Sequence, residues 1–469
     1  MKVILISTYE LGHQPFGLAS PSAWLREAGA SVTCLDLAVE PLDERAVAAA
    51  ALVALYVPMH TATRLAARVA PRVTALNPHA HLCFYGLYAP MNDAFLRGLG
   101  ADTILGGEFE SGLVDLYRRL KAGNDGSSRA PQREPLVSLG KQRFRVPDRS
   151  DLPPLSGYAY LDPGSGQRRT VGYTEASRGC KHLCRHCPVV PVYGGRFRVV
   201  QRDVVMEDIR RQVGAGAQHI TFGDPDFFNG VSHALRLVDT LHDEFPEVTY
   251  DATIKVEHLL KHARHLPALA KTGCLFVTTA VESVDDRVLR LLDKGHTRDD
   301  FIRVVELARV ADLTLSPTFI PFTPWTSPEG YLDMLTLIAR LDFVDHVAPI
   351  QLAIRLLVPE GSRLLEVPEV RNLLGAFDAA ALSYPWSHPD PRVDRLHDVV
   401  RAIVEDSEEA GASRRETFGK VWGATCDACC LPVTFPPVPQ WPAAATAVPR
   451  LSEPWYCCAE PTSGQFARV

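Results

Sequence analysis

The chain has 469 residues, 46% of them hydrophobic and 22% charged, an ordinary globular composition that provides for two or three packed domains. Lys and Arg total 49 against 55 Asp and Glu, a net charge of −6, so the global balance argues against a polyanionic partner such as nucleic acid. The opening MKVILISTYE holds an apolar run too short for a secretory signal or a membrane span, and a cytoplasmic protein with no membrane partner is expected.

In chain order, KVILIS predicts a first strand, followed by a loop with Gly and Pro and a helical stretch around Ser22 to Ala28. The alternation repeats through VTCLDL, LVALYVP, HLCFYGL and DTILGG, which predicts a doubly wound parallel sheet over residues 1–120. Ligands of such sheets bind at the carboxyl ends of the strands, here Thr8 to Gly12, Pro58 to Thr61, Gly86 to Leu87 and Gly106 to Glu110. Residues 121–165 are rich in Gly, Ser, Arg and Pro and read as a linker. Over residues 166–365 the strands VGYTEAS, HITFGD, VTYDATIK, LFVTTAVE, LTLSPTFIPF and HVAPIQLAIRLLV alternate with helical stretches such as DVVMEDIRRQVGAG. Six such units predict a partial (βα)6 barrel with its reactive groups at the carboxyl ends of the strands. Residues 366–469 form an extension that carries five of the cysteines.

The cysteines carry the chemistry. Eleven thiols in a chain of this length suggest metal or redox work more readily than disulfides. Cys34, Cys83 and Cys274 stand alone in apolar runs and are expected to be inert core residues. Cys180, Cys184 and Cys187, in SRGCKHLCRHCP, have the spacing C-x3-C-x2-C directly after the first strand of the second domain. Three soft thiolates on one loop can hold three irons of a [4Fe-4S] cube and leave the fourth open. The competing reading is a zinc site completed by His182 or His186.

This motif, its place after the first barrel strand, and the preceding Arg178 and Gly179 resemble the radical S-adenosylmethionine (SAM) superfamily over roughly residues 170–365. The resemblance implies that the open iron binds the amino and carboxylate groups of SAM, and that one electron breaks a sulfonium carbon–sulfur bond. An external electron donor such as flavodoxin or ferredoxin is implied with it. Where the family often has Gly-Gly-Glu facing the SAM amino group, this chain has Gly223 and Asp224, and Asp224 can accept the same hydrogen bonds. Glu282 and Ser283 resemble the polar pair that contacts the ribose or methionine end, and Lys255 is placed to meet a carboxylate. The Gly-rich adenine segment is replaced by Thr318-Phe319-Ile320-Pro321.

The first 120 residues resemble the cobalamin-binding-type domain that precedes many radical SAM cores, including the ending Gly106-Gly107-Glu108-Phe109-Glu110. The motif Asp-x-His-x-x-Gly, which supplies an axial histidine in some such domains, is missing. The resemblance therefore carries the fold and leaves cobalamin open, with His13 and His60 the histidines able to approach a ligand.

Cys426, Cys429 and Cys430 (CDACC) and Cys457 and Cys458 (WYCCAEP) lie in a Pro-rich tail and are not expected to be core residues. Three roles compete: an auxiliary metal or cluster, a dithiol relay, or capture of a thiophilic substrate such as trivalent arsenic. The Cys-Cys-Ala-Glu-Pro tail resembles the CUAEP/CCAEP-tail radical SAM group. With the general plan of the arsinothricin biosynthesis radical SAM enzymes, that likeness implies transfer of the 3-amino-3-carboxypropyl group of SAM to arsenite. Cobalamin-assisted methylation or rearrangement of a small molecule, and a non-catalytic iron–sulfur sensor, are the alternatives.

Overall fold

The computed structural model describes residues 1–124, 134–164, 166–433, 436–437, 448–453 and 460–468. The α/β reading holds. Strands β1 (Lys2–Ser7), β2 (Ser31–Asp36), β3 (Leu52–Tyr56), β4 (His81–Tyr85), β5 (Thr103–Gly107) and β6 (Val137–Ser138) form one parallel sheet in the order β2-β1-β3-β4-β5-β6. The central strands are near-continuous Val, Ile, Leu and Ala runs because both faces are covered. Helices Phe16–Glu27 and Phe109–Asn124 pack on one face, and His60–Leu76 and Asp93–Gly98 on the other. β6 lies beyond residue 120, within the stretch read as linker. Arg149, in the same stretch, is tied to Asp208 at 2.9 Å and to Gln14 at 2.9 Å.

Strand order reverses between β1 and β3, so the connections after these two strands leave on opposite faces and open a crevice. The residues at its lips, Tyr9 to His13 and Pro58 to Met59, follow β1 and β3.

The second sheet contains β7 (Tyr160–Asp162), β8 (Arg169–Thr174), β11 (His219–Phe222), β12 (Thr249–Thr253), β13 (Cys274–Glu282), β14 (Thr314–Phe319) and β15 (Arg450–Leu451), in the order β14-β13-β12-β11-β8-β7-β15. β8 and β11 to β14 are parallel, each beside its predecessor, and β7 and β15 close the edge antiparallel. Between β8 and β11 a two-stranded ribbon of β9 (Ser177–Gly179) and β10 (Phe197–Val199) holds the cysteine loop. The sheet curls into a half barrel over one core that includes Ile220, Tyr250, Val277 and Leu315.

The sixth barrel strand expected within residues 346–358 is reduced to a single bridge between Phe322 and Arg355. Pro349, which has no N–H to give a ladder, starts a 3-10 turn over Pro349–Leu352 instead. Helices Pro391–Glu409 and Arg414–Ala428 pack over that turn and fill the missing side. No helix among the described residues is long and apolar enough to cross a membrane.

Candidate active site

The carboxyl ends of both sheets face one cavity of about 340 Å³. Cys180, Cys184 and Cys187 line it together, on the loop that leaves β9. Two features fix that loop. Gly179 has φ +73°, and a Cβ there would meet Tyr193 at 2.4 Å and the Arg196 carbonyl at 2.5 Å, so only glycine fits the step into Cys180. Asn229 Oδ1 then accepts the Lys181 N–H at 3.2 Å and faces Cys180 Sγ at 3.8 Å, while the Cys187 N–H donates to the Cys184 carbonyl at 3.2 Å.

The donor set fits an iron–sulfur cluster. Burial pushes the Cys180 thiol up to about 11, so a cationic centre is needed to hold it as thiolate, and iron provides one. Lys294, only 3% exposed, senses the Cys184 and Cys187 charges and adds positive field to the same place. The zinc alternative is not favoured by the histidines. His186 Nε2 lies 3.2 Å from Glu282, and His182 Nε2 lies between Asp226 at 3.6 Å and His258 at 3.2 Å. One zinc-like triad of ligand atoms, from Cys180, His182 and Asp226, lies within 4.8 Å, but it would divert Cys180 from its two partner thiols.

The remaining sequence candidates divide. Gly223 lines the cavity, and a Cβ there would strike the Tyr173 hydroxyl at 1.9 Å. Asp224 lines the cavity too, but its carboxylate already accepts from the Ala176 N–H at 2.9 Å and from Ser177 Oγ; burial pushes it up to about 7. Lys255 lines the cavity and is paired with Glu257 at 3.2 Å. Glu282 has φ +66° at an irregular step in the β13–β14 register, which turns its carboxylate onto His186 and Lys294 at 3.2 Å each. Burial raises its pKa, but Lys294 and His186 outweigh that and hold it at about 2. Ser283 does not line the cavity; its Oγ accepts from the Asp285 N–H at 3.1 Å and shapes the next turn.

The tail cysteines separate as well. Cys457 and Cys458 lie outside the described residues. Cys426 is 2% exposed and packs in the barrel core with Phe418 and Trp422, because helix Arg414–Ala428 turns that side inward; it is a core residue, contrary to the sequence expectation. Cys429 and Cys430 cap the same helix, and none of these three lines the cavity. Cys34, Cys83 and Cys274 are buried as expected.

Several residues at the site carry no sequence signal: Lys294, Asp226, Glu10, and the acids Glu108, Glu110 and Glu175 as partners of Arg178. From the N-terminal domain, Glu10 lines the cavity at 5% exposure. Burial, then Glu175 and Asp36, push its carboxyl well above the usual range, and the N–H of Gly17 and Arg149 offset this only in part. A folded state that keeps a proton which the unfolded chain releases above about 4.3 loses stability as pH rises past that value. Glu10→Gln should therefore raise the melting temperature of the cluster-free protein more at pH 8 than at pH 5. A gap that is flat or reversed in thermal melts would count against a buried neutral carboxyl.

Residues 174–337 match the radical SAM superfamily model. A tRNA-2-methylthio-N(6)-dimethylallyladenosine synthase from Chlorobium limicola is 26% identical over 306 residues, 61% of this chain and 65% of that protein. The chain spans only 39% of the length of the synthase of the same name from Thermotoga petrophila. In fold, the chain is similar to the radical SAM methyltransferase TsrM from Kitasatospora setae, with a TM-score of 0.59 at 17% identity over 73% of this chain and 71% of that one. It is also similar to the cobalamin-dependent radical SAM enzyme OxsB, with a TM-score of 0.66 at 14% identity over 90% of this chain and 72% of that one. Residues 174–337 thus carry a radical SAM domain, of a superfamily whose cofactors are a [4Fe-4S] cluster and SAM, and that domain is joined to an N-terminal sheet in the arrangement seen in the folds of TsrM and OxsB.

Proposed function

We propose that the protein cleaves SAM reductively at a cluster held by Cys180, Cys184 and Cys187, and transfers a SAM-derived group to a small molecule seated between its two domains. The observation that carries this reading is a single cavity lined both by the three thiols and by Glu10, Met59, Leu87 and Tyr88 of the N-terminal domain. When bound, the cluster supplies a low-potential electron and an open iron that grips the methionine end of SAM. Lys255 and Lys294 set positive charge where the SAM carboxylate would lie, Glu282 orients His186 and Lys294, and the Tyr and Phe walls exclude water. An enclosed cavity of this kind suits a small molecule, although the curated relatives named above act on tRNA.

In the first form of the reaction, the 3-amino-3-carboxypropyl group passes to trivalent arsenic held on thiolates. What supports it is where the described tail lies. Leu451 lines the cavity, Glu453 accepts from the Tyr9 hydroxyl at 2.6 Å, and Glu460 pairs with His60 and Arg64 at 2.9 Å each, beside Met59. In the second form, a methyl group moves with the help of a corrinoid, which the fold likeness to TsrM and OxsB favours. Tyr56, Met59, Leu87 and Tyr88 offer the flat apolar wall that would hold it, and a corrinoid would supply a methyl-carrying centre. Of the two histidines able to approach it, His13 lines the cavity and stacks on Tyr173 at 4.8 Å, whereas His60, bonded to Glu460 through Nε2, does not line it.

Anaerobic protein, reduced by flavodoxin or dithionite and given SAM and arsenite, separates the two. Methylthioadenosine as the nucleoside product supports the first form. S-adenosylhomocysteine, with corrinoid absorbance in reconstituted protein, supports the second. SAM that is not consumed at all would overturn the proposal and leave an iron–sulfur redox protein.

A further inference from the structure

The floor of the barrel holds a buried polar chain that the chemistry above does not use. Arg169 Nη1 donates to Thr249 Oγ1 at 3.0 Å, and Thr249 Oγ1 lies 2.8 Å from His219 Nδ1. His219, fully buried, reaches Asp251 Oδ1 through Nε2 at 2.9 Å, and Thr221 Oγ1 donates to the same oxygen at 2.6 Å. The order of donors follows. The Asp251 carboxylate only accepts, so His219 donates to it through Nε2–H, and in the neutral imidazole Nδ1 then accepts from Thr249 Oγ1, whose oxygen in turn accepts from Arg169. Asp251 Oδ1 thus takes two hydrogen bonds, and Asp251 lines the cavity at 4% exposure.

A carboxylate aimed in this way into a cavity can bind a cationic group there. His13, which comes from the N-terminal domain and stacks on Tyr173, is brought down to about 4 by burial and so adds no charge at neutral pH. The inward positions above Asp251 then step upward in register. Thr253 pairs with Thr278, and Ala280 with Thr318, whose Oγ1 is buried without a hydrogen bond. The top of the lumen carries the lysines, Lys255 and Lys294. From Asp251 to Lys255 is four residues, roughly 13 Å of strand. The lumen is therefore anionic at its floor, hydroxylic in the middle and cationic beside the thiols.

We infer that Asp251, aimed by His219 and Thr221, binds a nitrogen cation at one end of the substrate and so points the other end toward the cluster. This rests on the reading of the cavity as the substrate chamber, and names the class of molecule it selects: a small organic ammonium. Asp251 is the binding group; His219 and Thr221 position it.

The test uses full-length protein with its cluster reconstituted and SAM saturating, and measures by calorimetry the binding of benzylammonium, benzyl alcohol and benzoate. Wild type is expected to bind benzylammonium at least tenfold more tightly than benzyl alcohol, with benzoate weakest. Asp251→Asn should abolish the preference while leaving the cluster's electron resonance response to SAM unchanged. Thr221→Val, nearly isosteric and safe for the fold, should cut it about threefold. Equal binding of the three probes to wild type, or a preference that survives in cluster-loaded Asp251→Asn, overturns the inference. The two readings fail separately. SAM cleavage without any charge preference sinks this site alone, and a charge preference without SAM cleavage sinks the reaction alone.

Discussion

Replacing Cys184 by Ala should strip the protein of both its cluster and its ability to consume SAM. Cys184 is the most enclosed of the three thiols, at 7% exposure, and its charge is felt by Lys294. Two remaining thiolates cannot hold a cube whose fourth iron must stay open for SAM, because the site then offers one ligand fewer than the cluster needs. Iron per chain should fall to background after anaerobic reconstitution, and SAM cleavage should fall to the rate of buffer and reductant alone. The control is Cys83→Ala, which removes a thiol buried in β4 and pushed far up by burial; it should leave iron content intact. A Cys184→Ala protein that keeps its cluster and still cleaves SAM would remove the basis of the site described here.

The cluster site is legible in the sequence, because C-x3-C-x2-C is a local pattern whose chemistry needs only loop neighbours. The strands were legible for a similar reason. KVILIS, LVALYVP and HLCFYGL are apolar runs that no other structure buries so completely. The sixth barrel strand was not, since HVAPIQLAIRLLV has the composition of a strand while Pro349 breaks its ladder. Cys426 shows the opposite failure. Its CDACC context suggests reactive sulfur, but it sits on the inward side of a helix that the apolar residues Phe418, Val421 and Trp422 already turn toward the core. Lys294 and Glu282 are twelve residues apart and meet only because β13 ends in a left-handed step, a fact of backbone path that side-chain types do not encode. Asp251 did leave a trace, as the one acid in VTYDATIK.

The second large effect concerns how the cluster loop is held to the N-terminal domain. Arg178 lies two residues before Cys180, is 6% exposed, and meets carboxylates from both domains: Glu108 at 3.5 Å just after β5, Glu110 at 2.6 Å in the first turn of helix Phe109–Asn124, and Glu175 at 2.6 Å from the loop after β8. Ser20 links the guanidinium at 3.3 Å to Glu110 at 2.6 Å, and the Phe16, Phe109 and Phe144 rings stand 5.1 to 5.5 Å from the guanidinium carbon. One cation does not satisfy three acids. Burial raises Glu110, but Arg178 and the Ser20 and Gln142 hydrogen bonds outweigh it and hold the carboxyl low, whereas burial leaves Glu108 at about 7 and Glu175 raised. Removing the arginine strands the ionised Glu110 in an apolar box, and breaking a buried pair in this way costs roughly 3–5 kcal/mol. Arg178→Met should therefore lower the unfolding free energy from urea titration by an amount in that range, with a lower midpoint, and reduce the iron that the loop retains. Arg178→Lys should recover only part of both, because a single ammonium cannot span Glu110 and Glu175 as the planar fork does. Glu110→Gln in the Arg178→Met background should return much of the stability, since it removes the stranded charge, but not the iron, since the loop is still untethered. An Arg178→Met protein with an unchanged midpoint and full iron would show that this buried ion cluster does not join the two domains.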